Sequence, residues 1–155
     1  MSAGADPFDL QRFVDAQQDV WANVAAELRA GAKRTHWMWF VFPQVAGLGH
    51  SMMAQLYALG SVQEARAYHA HPVLGARLRE GFQWVMAARR PVEAIFPSPD
   101  DLKFRSCATL FVTAVPEEAL YREVIGKLCM GRMDAATLQQ LDARQGQAAT
   151  HDGAP

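Results

Sequence analysis

Segment 36–44 carries the side chains best suited to ligand recognition in this chain. It reads His-Trp-Met-Trp-Phe-Val-Phe-Pro-Gln, so polar groups stand at both ends of an aromatic run. Ligand pockets combine apolar walls with a few polar groups, whereas a core segment needs only the apolar part. We therefore predict that Trp37 and Trp39 stack against or wall a ligand. His36 and Gln44 would bind its polar edge, and His36 is a candidate acid or base if the site is catalytic.

The same segment is open to a second interpretation. Aromatic side chains at this density also form a plug in a hydrophobic core, with the imidazole of His36 satisfied by backbone groups. The two interpretations differ in geometry. A pocket wall turns its polar members toward one cavity, and a core plug turns them toward separate hydrogen bonds.

A glycine-containing loop, Gly47-Leu48-Gly49, follows this segment, with Ser51 shortly after it. Glycines let the backbone approach a ligand closely, and free N–H groups before a helix attract anions. Ser51 is therefore a candidate ligand-binding residue. The alternative is a plain helix N-cap, which is the commoner role of such a serine.

Another group of polar residues lies around Pro72, where a helix is expected to break. Arg77 is a candidate for binding a phosphate or carboxylate, with Tyr68 and His71 beside it. The alternative is a helix-end histidine and a solvated arginine, because such residues are mostly exposed.

The last group lies on a helix predicted over 99–114. Lys103 and Ser106 share a face that suits an anionic ligand, while the opposite face is apolar. Asp101 is the second candidate acid or base. The alternative is a solvated face on which Asp101 pairs with Arg105 along the helix.

Helices must position all of these groups, because helix start and stop signals recur along the chain and no hairpin signal does. Ser61 and Glu64, for example, have the spacing of a capping box. We predict an all-α fold, a compact single-domain bundle of about six or seven short-to-medium helices without substantial sheet. The predicted boundaries are a flexible N-terminus over 1–8, a helical domain over 9–143 and a disordered tail over 144–155.

Bulk composition narrows the classes of function. The chain has 155 residues, a formal net charge of −1 and 20% charged residues, so it fits one globular domain without a nucleic-acid or membrane partner. Cys107 and Cys129 are predicted to be buried, with no metal site and no cofactor. No signal peptide or membrane-spanning run is evident, which predicts a cytoplasmic protein. P-loop, dinucleotide-binding and nucleophile-elbow motifs are absent from the sequence.

A set of motifs over 13–141 also resembles a known family. They are Phe13-Val14-Asp15-Ala16-Gln17, the 36–44 string, Gly47-Leu48-Gly49, Ser51, Tyr57, Glu64-Ala65, Tyr68, His71-Pro72, Leu74-Gly75, Arg77-Leu78, Asp101, Lys103-Phe104-Arg105-Ser106 and Thr109-Leu110-Phe111. Through these motifs the chain resembles the bacterial domain-of-unknown-function family 1810, often misannotated as calpastatin. The resemblance implies a compact, mostly helical domain and no established reaction.

These observations favour a pocket for a small ligand, nucleotide-like or otherwise anionic, formed by segment 36–51 and the polar face of helix 99–114. A protein-partner module without catalytic activity is the alternative, with the aromatics forming an exposed patch or filling the core. A weaker likeness to small helical proteins of the NADAR type implies a third hypothesis, an N-glycosidic hydrolase acting on ADP-ribose linkages. Their Ser-Glu-His-type motif is not visible in this sequence.

Overall fold

The structure, a computed structural model, describes the backbone of residues 5–152 and the side chains of residues 5–145. This part of the chain is helical and contains no strand, so the predicted all-α class is confirmed. The helices are α1 Gln11–Gln18, α2 Trp21–Arg29, α3 Met38–Val41, α4 Met52–Leu56, α5 Val62–Ala70, α6 Leu74–Ala87, α7 Val92–Ile95, α8 Asp100–Ala114, α9 Ala119–Leu128 and α10 Ala135–Asp152. None of them is long and apolar enough to cross a membrane within the described range.

The ten helices of the described residues exceed the six or seven predicted. One reason is that the first amphipathic stretch is broken, because the Val20 N–H donates to the carbonyl of Gln17, three residues back, at 3.1 Å. The other reason is that α3 and α7 are single turns, which are too short for helical periodicity to show. Segment 38–41 is thus a short helix, one of the two conformations left open by the sequence.

Helix caps agree closely with the sequence signals. The Ser51 hydroxyl accepts the Ala54 N–H at 3.1 Å and begins α4. The Ser61 hydroxyl accepts the Glu64 N–H at 3.0 Å, and the Glu64 carboxylate accepts the Gly60 N–H at 3.2 Å. This is the predicted capping box, with the return bond made one residue before the cap.

Helix α8 lies at the centre of the fold and contacts α5, α7, α9 and α10. Because it is surrounded, two of its hydroxyl groups are buried and bond to the helix itself: Ser106 donates to the carbonyl of Leu102 at 3.0 Å, and Thr109 to that of Arg105 at 2.8 Å. Ser106 was predicted to lie on a free polar face of this helix, but in the structure it is buried and its hydroxyl is already bonded.

The ring of Phe42 connects segment 36–44 to this core. It packs against Phe82 and Phe104 with centroids 5.3 Å away in both cases, and against Phe96 at 5.8 Å. A Cβ at Gly81 would lie 3.1 Å from the tip of the Phe42 ring, so the glycine lets α6 approach this cluster closely.

Helices α2 and α6 meet through a pair of indoles, each of which is also contacted by an arginine. Trp21 and Trp84 lie 5.8 Å apart, with their planes inclined at 37°. The guanidinium of Arg29 covers Trp84 at 4.9 Å, and that of Arg77 covers Trp21 at 5.2 Å. Cation–π contacts of this kind stabilise partly exposed aromatic rings.

The predicted ends of the domain remain predictions. The backbone of α10 is helical to Asp152, past the point where a disordered tail is predicted. At the other end the Asp6 carboxylate accepts the N–H groups of Leu10 and Gln11 at 2.8 and 2.9 Å. Residues 1–4 and 153–155 of the two predicted termini lie outside the described residues.

Candidate functional site

A small open pocket of about 120 Å³ lies where segment 36–49 meets α4 and the residues after it. It is lined by Trp39, Gln44, Val45, Ala46, Gly47, Gly49, Ala54, Gln55, Tyr57 and Ala58. An isolated parallel bridge ties its two walls together. The Leu59 N–H donates to the carbonyl of Gln44 at 2.9 Å, and the Ala46 N–H donates to that of Leu59 at 2.8 Å.

Three lining side chains, those of Trp39, Gln44 and Tyr57, carry polar groups that have no partner in the described part of the chain. Within residues 5–145, the indole N–H, the carboxamide and the phenol hydroxyl make no hydrogen bond. In contrast, the amide of Gln55 already donates to the carbonyl of His50 at 2.9 Å. Polar groups that fold into a pocket and remain unpaired are available to a ligand.

Arg12 positions the wall that carries Tyr57. Its guanidinium donates to the carbonyls on either side of that residue, Leu56 at 2.9 Å and Ala58 at 3.0 Å. It also pairs with Glu64 at 3.2 Å. The Tyr57 ring packs on that of Phe40 at 5.3 Å, which holds the ring while leaving its hydroxyl unbonded within the described residues.

A buried hydrogen-bond network positions the other wall. The Gln17 amide donates to the carbonyl of Phe40, next to Trp39, at 2.7 Å and contacts the Tyr68 hydroxyl at 3.1 Å. Arg77 donates to the Gln17 amide oxygen at 3.3 Å. Tyr68 is fully buried, and this burial raises the pKa of its hydroxyl. Tyr68 and Arg77, predicted as ligand-binding residues, thus contact Gln17 rather than the pocket.

Trp37 and His36 do not reach the pocket. Trp37 is only 1% exposed and lies in the core, where its indole N–H donates to the Glu27 carboxylate at 3.1 Å. Glu27 also accepts the backbone N–H groups of Arg34 and Thr35 at 2.6 and 2.9 Å. Burial raises the pKa of Glu27, but the hydrogen bond from the Thr35 hydroxyl together with these others outweighs burial, so the net pKa is lowered. The side chain of His36, between Thr35 and Trp37 in the sequence, is exposed to solvent.

The aromatic segment meets the start of α8 through a cation–π contact, beside two ion pairs of Asp100. The Lys103 ammonium lies 5.8 Å from the Trp39 ring centre and 3.7 Å from one oxygen of Asp100. The other Asp100 oxygen holds Lys33 at 2.8 Å. Asp101, the second predicted acid or base, does not line the pocket, and its Oδ1 atom is buried without a partner in the described part of the chain.

The structure therefore brings Trp39 and Gln44 together in one pocket, with Lys103 against the Trp39 ring. Ser51 caps α4 beside this pocket and is itself exposed. Sequence reasoning about the site missed Tyr57 and the positioning role of Arg12. Their contacts depend on the parallel bridge and on a 44-residue separation between Arg12 and Leu56, for which the sequence contains no local signal.

A second polar cluster joins α5, α6 and α9 away from the predicted residues. The Nδ1 of His69 lies 2.6 Å from the Tyr121 hydroxyl oxygen. Arg79 lies 4.0 Å from Glu118 nearby. Burial, followed by the charge of Arg79, lowers the pKa of His69. A titratable histidine, His69, therefore lies at the contact between α5 and α9.

The sequence matches the family model described as a protein of unknown function (DUF1810) over residues 7–141. That match spans most of the chain, so the protein belongs to this family, as its motifs predicted. The fold is similar to the crystal structure at 1.38 Å of the conserved hypothetical protein Rv1873 from Mycobacterium tuberculosis, with 47% sequence identity and a TM-score of 0.86. The similarity covers 88% of this chain and 99% of that chain. No curated protein matches the sequence.

Proposed function

We propose that this protein binds a small molecule in the pocket between Trp39, Gln44 and Tyr57. The observation that supports this most directly is that three residues with unpaired polar groups, two from segment 36–44 and one from the chain after α4, line one pocket. Unpaired polar groups lose their hydrogen bonds to water when a ligand fills the pocket. A ligand that forms hydrogen bonds with these groups is therefore favoured.

The size of the pocket limits the ligand to about one ring. A volume of about 120 Å³ is below the ~300 Å³ at which ordinary ligand pockets begin, and near the ~150 Å³ of a protein cavity that accepts benzene. A nucleotide-like ligand would place only its ring here. An anionic substituent would then lie outside the pocket, where the Lys103 ammonium contacts the Trp39 ring.

We propose binding rather than catalysis for this pocket. An N-glycosidic hydrolase needs a general acid or base at the ligand. Among the described residues, the pocket lining contains neither a carboxylate nor an imidazole. His36 and Asp101 lie outside it, so the hydrolase hypothesis has no support from this geometry. A cytoplasmic location remains a prediction.

The direct test is a nuclear magnetic resonance titration with a library of single-ring compounds. The chain has four tryptophans, and only Trp39 lines the pocket, so the other three indole signals are internal controls. We expect the Trp39 indole and Gln44 amide signals to shift together. The proposal fails if no compound shifts them, or if every indole signal shifts equally.

A second candidate function is protein-partner binding, favoured by the exposed face of α4. Met52 is 82% exposed and Leu56 52%, on the same short helix whose Ala54 and Gln55 line the pocket. Sedimentation over a range of concentrations tests the case of self-association. Met52→Asp should lower any association, whereas Met130→Asp, at a loop residue that is 81% exposed, is the matched control.

A further inference from the structure

We infer that the pocket selects a neutral planar amide, a ring that carries a carboxamide or lactam edge. This inference rests on the proposed function and specifies its ligand class. The argument uses the hydrogen-bonding capacity of the unpaired groups, the charge of the lining and the shape of the pocket.

The unpaired groups match the edge of an amide. Gln44 offers one acceptor and two donors side by side, and a second amide pairs with this arrangement through two antiparallel hydrogen bonds. Tyr57 can donate or accept, and the Trp39 indole N–H only donates. A ligand with adjacent C=O and N–H groups can satisfy these three side chains, whereas a plain hydrocarbon ring would leave them unpaired.

The charges around the pocket favour a neutral ligand. No side chain with a formal charge lines the pocket within the described residues. Arg12 approaches one wall but is already bonded to two carbonyls and to Glu64. Lys103 approaches Trp39 but already lies 3.7 Å from Asp100. Burying a carboxylate in such a lining would therefore cost hydration without a free cation to offset it.

The shape of the pocket favours a flat group. Two glycines form part of the lining, and a Cβ at Gly49 would lie 2.6 Å from the Cβ of Ala54. The loop can therefore approach α4 only if position 49 has no side chain. Together with the Trp39 indole, the lining leaves space of about 120 Å³, enough for one ring.

A ring series separates the amide edge from the ring itself. We would titrate the protein with benzamide, 2-pyridone, benzoate and toluene and follow the Trp39 and Gln44 signals. Benzamide and 2-pyridone should bind about tenfold tighter than benzoate and toluene, since sites built for hydrogen bonding reject analogues that lack the group. Equal or tighter binding of benzoate or toluene would overturn the inference while the proposed binding function would stand. If no ring compound moves these signals, the proposed function itself fails.

Gln44→Glu provides the residue-level test, because it keeps the shape of the side chain and replaces the amide donor with a charged acceptor. It should weaken benzamide binding by about tenfold. Gln63→Glu makes the same chemical change at an exposed position of α5 that does not line the pocket, and should leave benzamide binding within about twofold of wild type. Equal losses in the two variants would contradict the assignment of Gln44. Should Gln44→Glu not fold, the ligand series on the wild-type protein still decides the question.

Discussion

The amide of Gln17, on α1, holds the carbonyl oxygen of Phe40, on α3, at 2.7 Å. Gln17 is 1% exposed, and its remaining polar capacity is used by Tyr68 and Arg77. A buried amide that is fully paired stabilises one arrangement of its neighbours, because each displaced partner would be left unsatisfied. This amide therefore fixes the short helix that carries Trp39 into the pocket.

Gln17→Leu should lower the free energy of unfolding by about 2–4 kcal/mol, because it removes the hydrogen bonds of the buried Phe40 carbonyl and Tyr68 hydroxyl and of the half-buried Arg77. Urea denaturation monitored by circular dichroism measures this loss. Gln11→Leu, an exposed change on the same helix, should alter stability by less than about 0.5 kcal/mol. Similar losses for both variants would show that the buried network does not stabilise the fold.

Arg12→Met should lower stability by about 1–3 kcal/mol and weaken ring binding several-fold. The change releases the carbonyls of Leu56 and Ala58, and the backbone that presents Tyr57 to the pocket loses its support. Thermal unfolding and the ring titration give the two readouts. Arg34→Met, at an exposed position, is the control. Unchanged binding in Arg12→Met would show that Tyr57 does not depend on this arginine.

Asp100→Asn should destabilise the protein by about 1–3 kcal/mol at neutral pH, because Lys33 and Lys103 then lose their shared carboxylate. Asp101→Asn, one residue along, should be neutral or stabilising, since its buried oxygen has no partner in the described structure. Denaturation of both variants at low and high salt checks this contrast. A larger loss in Asp101→Asn would contradict it.

The protein should lose stability as the pH falls below the ordinary His69 pKa of about 6.5. Burial and Arg79 lower the pKa of His69 in the folded state, so the unfolded chain binds more protons in the window between the two values. The contribution is fully present above this window and is lost as the pH falls through it. Melting temperatures from about pH 7 to about pH 5.5 measure the effect.

His69→Gln should flatten this part of the pH profile, because it removes the group whose pKa is lowered. His50→Gln changes an exposed histidine and should retain the wild-type slope. The Glu117 carboxyl does not interfere, since its hydrogen bond to Arg66 lowers its pKa to about 2. An unchanged slope in His69→Gln would exclude His69 as the source.

Local signals in the sequence predicted the fold class and the caps at Ser51 and Ser61, because helix periodicity and capping depend on neighbouring residues. They did not separate Trp37 from Trp39. These residues are two apart, so a single helical turn directs them to different sides. Which of those sides is core follows from the bond between Trp37 and Glu27, on another helix, and spacing alone does not encode it.

The polar side of α8 shows the same limit. Lys103 and Ser106 do share a helical register, but neighbouring helices bury Ser106 and leave Lys103 partly exposed. The hydroxyl can be buried at low cost because it bonds to the carbonyl of Leu102, whereas an ammonium in that place would need a counterion. Only the tertiary arrangement distinguishes the two positions.

The neighbouring indoles of Trp21 and Trp84 give the molecule a local optical marker. Two rings 5.8 Å apart and inclined at 37° couple their electronic transitions, which produces a paired positive and negative band in the circular dichroism spectrum. Because one ring belongs to α2 and the other to α6, this signal disappears when these two helices separate. Comparing its loss with that of the helical signal would reveal whether this part of the bundle opens before the rest.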